Sequence, residues 1–281
     1  MRGTSHTHGG SLPDSTHSHA VSFPVVSDQC VPLRPTCAER DEDHCMPHHF
    51  PPSTGPSVPL GEALTAVDGG RLRLVPATGD STVLFLHGAG SGVDTPLFDA
   101  LAARLAAAGV QVARLEMPHR VAGRRAPARP ARLDAVAVAA VRALGAPRPL
   151  ALAGVSMGSR VAMRVAVTVG ARGVLALGFP LRPPGTTATG EPKPSRQGEL
   201  DGAGTPVLVV QGDRDPFGRP EPDAGRDRRV HLVAGGDHSF RTRVRDGRPA
   251  GEALAEAARV GADFLLDRMG GGAGGPGIAG S

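Results

Sequence analysis

The stretch LALAGVSMGSRVAMRVA, from Leu150 to Ala166, decides the fold of this chain. It begins as an apolar run and continues as an Ala/Val/Met-rich segment with helical spacing, so it predicts a buried strand followed directly by a helix. At the junction, residues 154–158 read G-x-S-x-G with Ser156 at the centre. Such a serine is either an ordinary helix-capping hydroxyl or a nucleophile on a strained turn, where flanking glycines avoid the collision of Cβ atoms.

Strand and helix patterns alternate along the chain on both sides of this stretch. Short aliphatic runs predict strands at residues 81–88, 110–118, 149–156, 173–180, 205–212 and 230–236. Apolar residues at helical spacing predict helices at residues 96–109, 132–145, 157–169 and 251–269. Continuous apolar strands separated by amphipathic helices are typical of α/β proteins with a mainly parallel sheet and helices on both faces. The connection between the fourth and fifth strands is too short for a large cap domain.

Composition divides the chain into three segments. Residues 1–57 are rich in His, Pro and Ser without sustained periodicity, and we expect them to be disordered because they offer too little apolar surface to offset chain entropy. Residues 58–269 form the predicted folded domain, and residues 270–281 a Gly-rich flexible tail. Met46 is a candidate for a downstream start of translation, a hypothesis that N-terminal sequencing of the native protein would decide.

The charge balance of the chain is only weakly basic. Its 281 residues carry 31 lysines and arginines against 27 acidic residues, a formal net charge of +4, and only Lys193 is a lysine. Trp and Tyr are absent and Phe is scarce, so side chains on which bases stack are missing. No long apolar run resembles a signal peptide or a membrane-spanning helix. We therefore expect neither nucleic acid nor a membrane as a partner, and a cytoplasmic location.

The cysteines give no evidence of a metal site. Cys30, Cys37 and Cys45 all precede the predicted domain, together with most of the histidines. Their odd number argues against a disulfide framework, and their spacing matches no short zinc-ligand pattern. We expect neither a metal nor an organic cofactor.

Three side chains of catalytic type directly follow predicted strands. They are Ser156, Asp215 in GDRDP, and His238 in GGDHSF. Right-handed crossovers bring the carboxyl ends of parallel strands to one edge of a sheet, so these side chains can meet there. A serine nucleophile needs a base to take its proton and an acid to orient that base, and the chain order Ser, Asp, His is the one found in α/β-hydrolases.

Each of these residues also has a simpler interpretation. Ser156 could be only a helix cap, Asp215 could cap a turn before a proline, and His238 could be a surface residue. Asp213 is the alternative for the acid role. Because all three interpretations would have to hold together, in this order and after three separate strands, we favour a Ser156–His238–Asp215 triad.

The donors of an oxyanion hole are predicted from two backbone segments. The N–H of Met157, directly after the serine, lies at the start of a helix, where N–H groups are unpaired. The second donor is expected from the small-residue run at residues 87–92, with Ala89 as first choice and Gly90 as second.

Other polar residues near the strand ends rank lower. His119 follows a strand end and is our candidate for a substrate-binding residue that lines the pocket. His87 is interpreted as a structural hydrogen-bonding residue and His231 as a packing or surface residue within a strand. The arginines of residues 120–132 are interpreted as a solvated basic loop, with attraction of an acidic substrate group as the alternative.

The blocks FLHGAGSG, GVSMGSRVA, LGFPLRPPG, VVQGDRDPFG and GGDHSF together carry a family resemblance. Over residues 60–268 the chain resembles the testis-expressed-protein branch of the dienelactone-hydrolase-like α/β-hydrolases, which shares its domain with a subunit of the nonspecific-lethal histone acetyltransferase complex. The resemblance implies Ser156 as nucleophile, Asp215 as acid and His238 as base. Dienelactone hydrolases proper have a cysteine nucleophile, so their lactone substrates are not carried over.

These observations predict a single-domain α/β-hydrolase fold and a serine hydrolase that acts through an acyl-enzyme. The short connection before the fifth strand favours a small acyl substrate, an ester, thioester or related compound. The alternative is a catalytically silent hydrolase fold that serves as a protein-interaction module, as the complex-subunit relatives suggest. The sequence leaves the oligomeric state open.

Overall fold

The computed structural model describes residues 63–75, 77–145 and 149–270. The predicted disordered segment 1–57, and all of the predicted tail except Gly270, lie outside the described residues. Within these ranges the strands are β1 (Ala63–Val67), β2 (Gly70–Val75), β3 (Thr82–Leu86), β4 (Gln111–Glu116), β5 (Leu150–Val155), β6 (Val174–Leu177), β7 (Val207–Gly212) and β8 (Arg228–Val233). The helices are α1 (Pro96–Ala107), α2 (Pro118–Val121), α3 (Pro130–Ala143), α4 (Met157–Val165), α5 (Gln197–Asp201) and α6 (Glu252–Met269).

The eight strands form one sheet in the order β1-β2-β4-β3-β5-β6-β7-β8. The six strands from β4 to β8 in this order are parallel to one another, and β2 is antiparallel to both of its neighbours, β1 and β4. This arrangement confirms the predicted mainly parallel sheet. It also places the carboxyl ends of β3, β5, β7 and β8 at the same edge, which is where open α/β sheets bind ligands.

Apolar side chains cover both faces of the sheet because successive residues of a strand point to opposite sides. In β3, Leu84 and Leu86 belong to the core beneath α3 and α4, whereas Val83 and Phe85 belong to the core beneath α1 and α6. The four side chains are fully buried. A strand that is apolar at every position is therefore explained by helices on both faces, as the sequence predicts.

The hairpin formed by β1 and β2 was not predicted. Asp68 and Gly69 form its turn with φ angles of 47° and 77°, and Val67 pairs with Gly70 across it. Asp-Gly is a favoured pair for such two-residue turns because both positions need positive φ. This dipeptide was the available indication of the hairpin.

Two further details differ from the predicted elements. Helix α4 ends at Val165 instead of near Val169, and the connection between β6 and β7 contains α5, a helix of five residues that was not predicted. No helix in the described part of the chain is long and apolar enough to cross a bilayer.

Candidate active site

The junction between β5 and α4 is a strained turn with Ser156 at its tip. Ser156 has φ 51° and ψ −109°, a conformation that costs a non-glycine residue about 1–3 kcal/mol. A Cβ atom on Gly158 would lie 1.9 Å from the Leu86 carbonyl oxygen, and one on Gly154 would lie 2.4 Å from the Gly158 carbonyl carbon. Both glycines are therefore required by the close approach of α4 to β3 and β5.

The structure brings Ser156, His238 and Asp215 into one hydrogen-bonded row. The Oγ of Ser156 lies 3.0 Å from Nε2 of His238, and Nδ1 of His238 lies 2.7 Å from Oδ2 of Asp215. Because a carboxylate only accepts hydrogen bonds, Nδ1 carries the hydrogen and Nε2 is left to accept the hydrogen of the serine hydroxyl. The Asp215 side chain is fully buried, whereas the imidazole is 24% exposed.

Asp215 is held by two donors besides the imidazole. Nε2 of Gln211 donates to Oδ2 over 2.7 Å, and the backbone N–H of Phe217 donates to Oδ1 over 2.9 Å. The same Gln211 nitrogen lies 3.2 Å from the Phe179 carbonyl oxygen and 3.0 Å from that of Gly218. Sequence reasoning missed Gln211, although a polar residue near the end of the apolar strand VLVVQG is the pattern that marks it.

Asp213, the alternative acid, occupies a different place. Its backbone N–H donates to the Val233 carbonyl over 3.1 Å, and among the described residues its buried Oδ1 has no hydrogen-bond partner. Both ring nitrogens of His238 are already taken by Ser156 and Asp215. The geometry therefore favours Asp215 for the acid position.

The imidazole of His238 is also fixed by packing that the sequence did not reveal. The ring centroids of His238 and Phe217 lie 4.4 Å apart at an interplanar angle of 55°. Gly178, with φ 60°, also lies next to the ring, and a Cβ there would lie 3.3 Å from Nδ1. A side chain at residue 178 would contact the ring too closely. The absence of a side chain at Gly178 therefore leaves room for the imidazole beside the serine.

A cavity of about 490 Å³ opens beside the Ser156 hydroxyl. Its walls are mainly apolar and small side chains, and it is lined by Gly88, Ala89, Gly90, Ser91, Thr95, Pro96, Leu97, Phe98, Val155, Ser156, His238, Ser239, Phe240, Arg241 and Leu254. The predicted oxyanion residues Ala89 and Gly90 thus face the same space as the serine. Met157, the third, is the first residue of α4, where N–H groups lack intrahelical partners.

His87 is fully buried beneath this loop. The N–H of Met117 donates to its Nε2 over 2.9 Å, so Nδ1 carries the hydrogen and donates to the Gly88 carbonyl over 2.7 Å. Burial lowers the pKa of His87 from 6.5 to about 4. The residue is a neutral hydrogen-bonding support, in agreement with the structural role inferred from the sequence.

The position of His119 corrects an expectation. It lies in α2, is buried, and has its Nε2 3.2 Å from the Ala89 carbonyl oxygen. It is not among the residues that line the Ser156 cavity and instead lines a separate cavity of about 430 Å³ together with Arg124 and Arg132. His119 therefore does not line the cavity beside Ser156, where the sequence-based prediction placed it.

The remaining polar candidates lie outside the cavity. His231, in β8, pairs with Glu256 over 2.6 Å, and Arg132, predicted in a basic loop but located in the first turn of α3, pairs with Asp68 over 2.6 Å. Within the described ranges no cluster of three or more His, Cys, Asp or Glu side chains could hold a metal ion. The cysteines lie outside the described residues.

A mainly parallel sheet with a strained serine turn at its carboxyl edge defines the class of α/β hydrolases. The chain belongs to the alpha/beta hydrolase domain family, whose model matches residues 79–266. This membership supports hydrolase activity. No curated protein matches the sequence at a significant level.

Several solved structures share the fold. Est1E from Butyrivibrio proteoclasticus is 14% identical with a TM-score of 0.55, over 75% of this chain and 99% of that chain. Dienelactone hydrolase from Anabaena variabilis ATCC 29413 is 18% identical with a TM-score of 0.56, over 73% and 97%. XC6422 from Xanthomonas campestris, a member of the α/β serine hydrolases without a lid, is 18% identical with a TM-score of 0.51, over 75% and 97%. At these identities the likeness shows the fold.

Proposed function

We propose that this protein is a serine hydrolase that cleaves small ester, thioester or related acyl bonds through an acyl-enzyme. The observation that supports the proposal most strongly is the row from Ser156 Oγ through the His238 imidazole to Asp215, with separations of 3.0 and 2.7 Å, at the wall of a cavity. A hydroxyl that donates to a neutral imidazole is ready to lose its proton as it attacks a carbonyl.

In the first half of the reaction, Ser156 Oγ attacks the acyl carbon and its proton passes to Nε2 of His238. The Asp215 side chain, hydrogen-bonded to Nδ1, orients the imidazole and stabilises the imidazolium. The carbonyl oxygen becomes an oxyanion, which accepts hydrogen bonds from the Met157 N–H and from Ala89 or Gly90. When the tetrahedral intermediate collapses, the leaving alcohol or thiol takes the proton from Nε2.

In the second half, water replaces the leaving group. The water oxygen attacks the acyl carbon while Nε2 of His238 accepts a proton from the water. The same backbone N–H groups bind the second oxyanion. Collapse of this intermediate breaks the bond to Ser156 Oγ, which regains its proton from the imidazolium. The products are a carboxylic acid and the free enzyme, and no step draws on a metal or an organic cofactor.

Cavity size and walls support a small substrate. A volume of about 490 Å³ with Leu97, Phe98 and Leu254 in the lining accommodates a short apolar acyl group. The short β6–β7 connection supplies no large cap to cover a long chain. We further propose that the chain belongs to the testis-expressed-protein branch, because five blocks of that branch's sequence pattern follow one another in order.

Hydrolysis of a substrate panel tests this function. We expect wild-type protein to hydrolyse p-nitrophenyl acetate and butyrate, or short acyl thioesters, and Ser156→Ala to lose this activity by a factor of at least about 10³. A folded wild-type protein without activity on any member would favour the protein-interaction module. Preference for long-chain acyl esters over acetyl and butyryl esters would contradict the proposed substrate size.

A further inference from the structure

Two buried imidazoles, those of His87 and His119, contact backbone carbonyl groups of the loop that follows β3. The Gly88 carbonyl oxygen lies 2.7 Å from Nδ1 of His87, and the Ala89 carbonyl oxygen lies 3.2 Å from Nε2 of His119. The two rings are neighbours, with centroids 5.6 Å apart. The Gly88 N–H is engaged separately, because it donates to Ser91 Oγ over 3.1 Å.

These contacts determine which way the next two N–H groups point. In a trans peptide the C=O and N–H bonds lie in one plane and point in opposite directions. The Gly88 carbonyl directed at His87 therefore turns the Ala89 N–H the other way, and the Ala89 carbonyl directed at His119 does the same for the Gly90 N–H. Ala89 and Gly90 line the Ser156 cavity, and neither imidazole does. The loop also lies close to the serine, since a Cβ on Gly88 would be 3.7 Å from Ser156 Cβ.

Packing alone does not explain an imidazole at residue 119. Because a carbonyl oxygen only accepts, Nε2 of His119 carries the hydrogen. Nδ1 is buried, and in the described part of the chain it has no hydrogen-bond partner. Burying a polar atom without a partner costs free energy that an apolar ring of similar size would avoid. The interaction gained in return is the one with the Ala89 carbonyl.

We propose that His119 is a positioning residue for the oxyanion hole: its Nε2–H fixes the Ala89–Gly90 peptide so that the Gly90 N–H faces the reacting carbonyl oxygen. The inference rests on the proposed function. It assigns Gly90 as the donor that depends on His119, and Ala89 as the donor that depends on His87. His119 acts through the loop and does not touch the substrate.

Two substitutions at residue 119 separate the N–H from the ring. His119→Phe keeps a ring of similar size and removes the donor, whereas His119→Gln places a side-chain N–H at a comparable distance from the backbone. His231→Gln, in β8 and paired with Glu256, is the matched control. For each variant, kcat and KM for p-nitrophenyl acetate and the Ki of phenylboronic acid are measured, because the boronate adduct of a serine is tetrahedral.

We expect His119→Phe to lower kcat about 10- to 100-fold, with KM changed less than about twofold. This decrease in kcat does not exceed the one caused by removing an oxyanion-hole donor outright. The Ki of phenylboronic acid should rise in parallel. His119→Gln should recover most of kcat, and His231→Gln should match the wild type. If His119→Phe does not fold, His119→Asn, which is too short to reach the Ala89 carbonyl, replaces it in the comparison with His119→Gln.

Two results would overturn the inference while leaving the proposed function intact. One is Ser156-dependent hydrolysis that His119→Phe, or His119→Asn in its place, leaves within twofold of wild type. The other is a His119→Gln variant whose kcat is as low as that of His119→Phe, or of His119→Asn in its place. That result would show that the imidazole ring itself, and not its N–H, is what kcat depends on. Wild-type protein no more active than Ser156→Ala would overturn both, since no oxyanion would then be formed.

Discussion

Ser156 is held in its strained conformation from both sides. Its N–H donates to the Leu177 carbonyl over 2.9 Å, and its own carbonyl accepts the Ser159 hydroxyl over 2.6 Å. Strain at a functional residue persists when its surroundings fix it in this way. The hydroxyl is therefore presented to His238 before any substrate arrives, which is the preorganisation that nucleophilic catalysis needs.

At Asp215 the account predicts a specific loss of rate. Asp215→Asn keeps the shape of the side chain but removes the charge that orients the imidazole, so kcat for p-nitrophenyl acetate should fall about 10³- to 10⁴-fold. Asp213→Asn, on the same loop, is the control and should stay within about threefold of wild type. If kcat fell equally for the two variants in the same esterase assay, the assignment of Asp215 rather than Asp213 to the acid position would be contradicted.

The site was predictable from the sequence only where residues follow strand ends. Order along the chain and the parallel sheet together indicated Ser156, Asp215 and His238, because strand ends share one edge. Gln211 was missed, and His119 was selected as a pocket-lining residue although it lies outside the cavity beside Ser156, both for the same physical reason. A pattern tells which strand a residue follows, whereas the side of a loop on which a side chain lies depends on packing between distant segments.

At the junction of β3, β5 and α4 the backbone segments are in close contact. A Cβ on Gly158 would overlap the Leu86 carbonyl oxygen at 1.9 Å, and only backbone movement could relieve that contact. Gly158→Ala should therefore lower the free energy of unfolding by at least about 3 kcal/mol or prevent folding.

Gly198→Ala provides the control for this effect. Gly198 lies in α5 with no atom within 4 Å of an added Cβ, so alanine there should be neutral or stabilise by up to about 1 kcal/mol. Urea unfolding of both variants measures the difference. A Gly158→Ala protein as stable as Gly198→Ala would show that the elbow is not closely packed.

Helix α5 is attached to α4 by a charged cluster around Glu199. The carboxylate accepts from Arg160 over 2.6 and 2.7 Å and from Arg164 over 3.2 Å. Burial raises the pKa of Glu199, but the hydrogen bonds and charges of Arg160 and Arg164 outweigh burial and hold it below its usual value of 4.5. The ion pairs therefore stabilise the fold above pH 4.5 and lose this effect as the pH falls through the lowered pKa.

Replacement of Glu199 tests this attachment. Glu199→Gln should reduce the free energy of unfolding at neutral pH by about 1–3 kcal/mol, and the difference from wild type should shrink on acidification. Asp263→Asn, which breaks the exposed pair with Arg259, should change stability by less than about 0.5 kcal/mol. A Glu199→Gln effect that is the same at pH 7 and at pH 3 would contradict the electrostatic explanation.

Secondary structure followed from the sequence where strands are apolar throughout. The β1–β2 hairpin, at the edge of the sheet, was missed. In β2 only Arg71 and Arg73 alternate with buried Leu72, and this pattern is too short to predict a strand. Helices α2 and α5 have four and five residues and form no complete apolar face. Such elements depend on tertiary contacts more than on their own sequence.

At the scale of the whole molecule, His87 makes the free energy of unfolding depend on pH in the acidic range. Its pKa lies at about 4 in the folded state, below 6.5, because burial disfavours the charged ring. Between these values the unfolded chain binds a proton that the folded chain does not, so stability falls as the pH is lowered from about 6.5 towards 4. The contribution of His87 over this window is about 3 kcal/mol.

Unfolding in urea at several pH values between 7 and 4 measures this dependence. His87→Asn should be less stable than wild type at pH 7, because Asn cannot reproduce both hydrogen bonds, but its stability should fall less steeply on acidification because Asn does not titrate. Equal slopes for the two proteins would assign the acid sensitivity to other groups.

The most direct test of the central claim is covalent labelling with a serine-reactive fluorophosphonate, followed by intact-mass measurement and peptide mapping. We predict one adduct on wild-type protein, located at Ser156, and none on Ser156→Ala. A folded wild-type protein that remains unlabelled, or a label that persists on Ser156→Ala, would contradict the account.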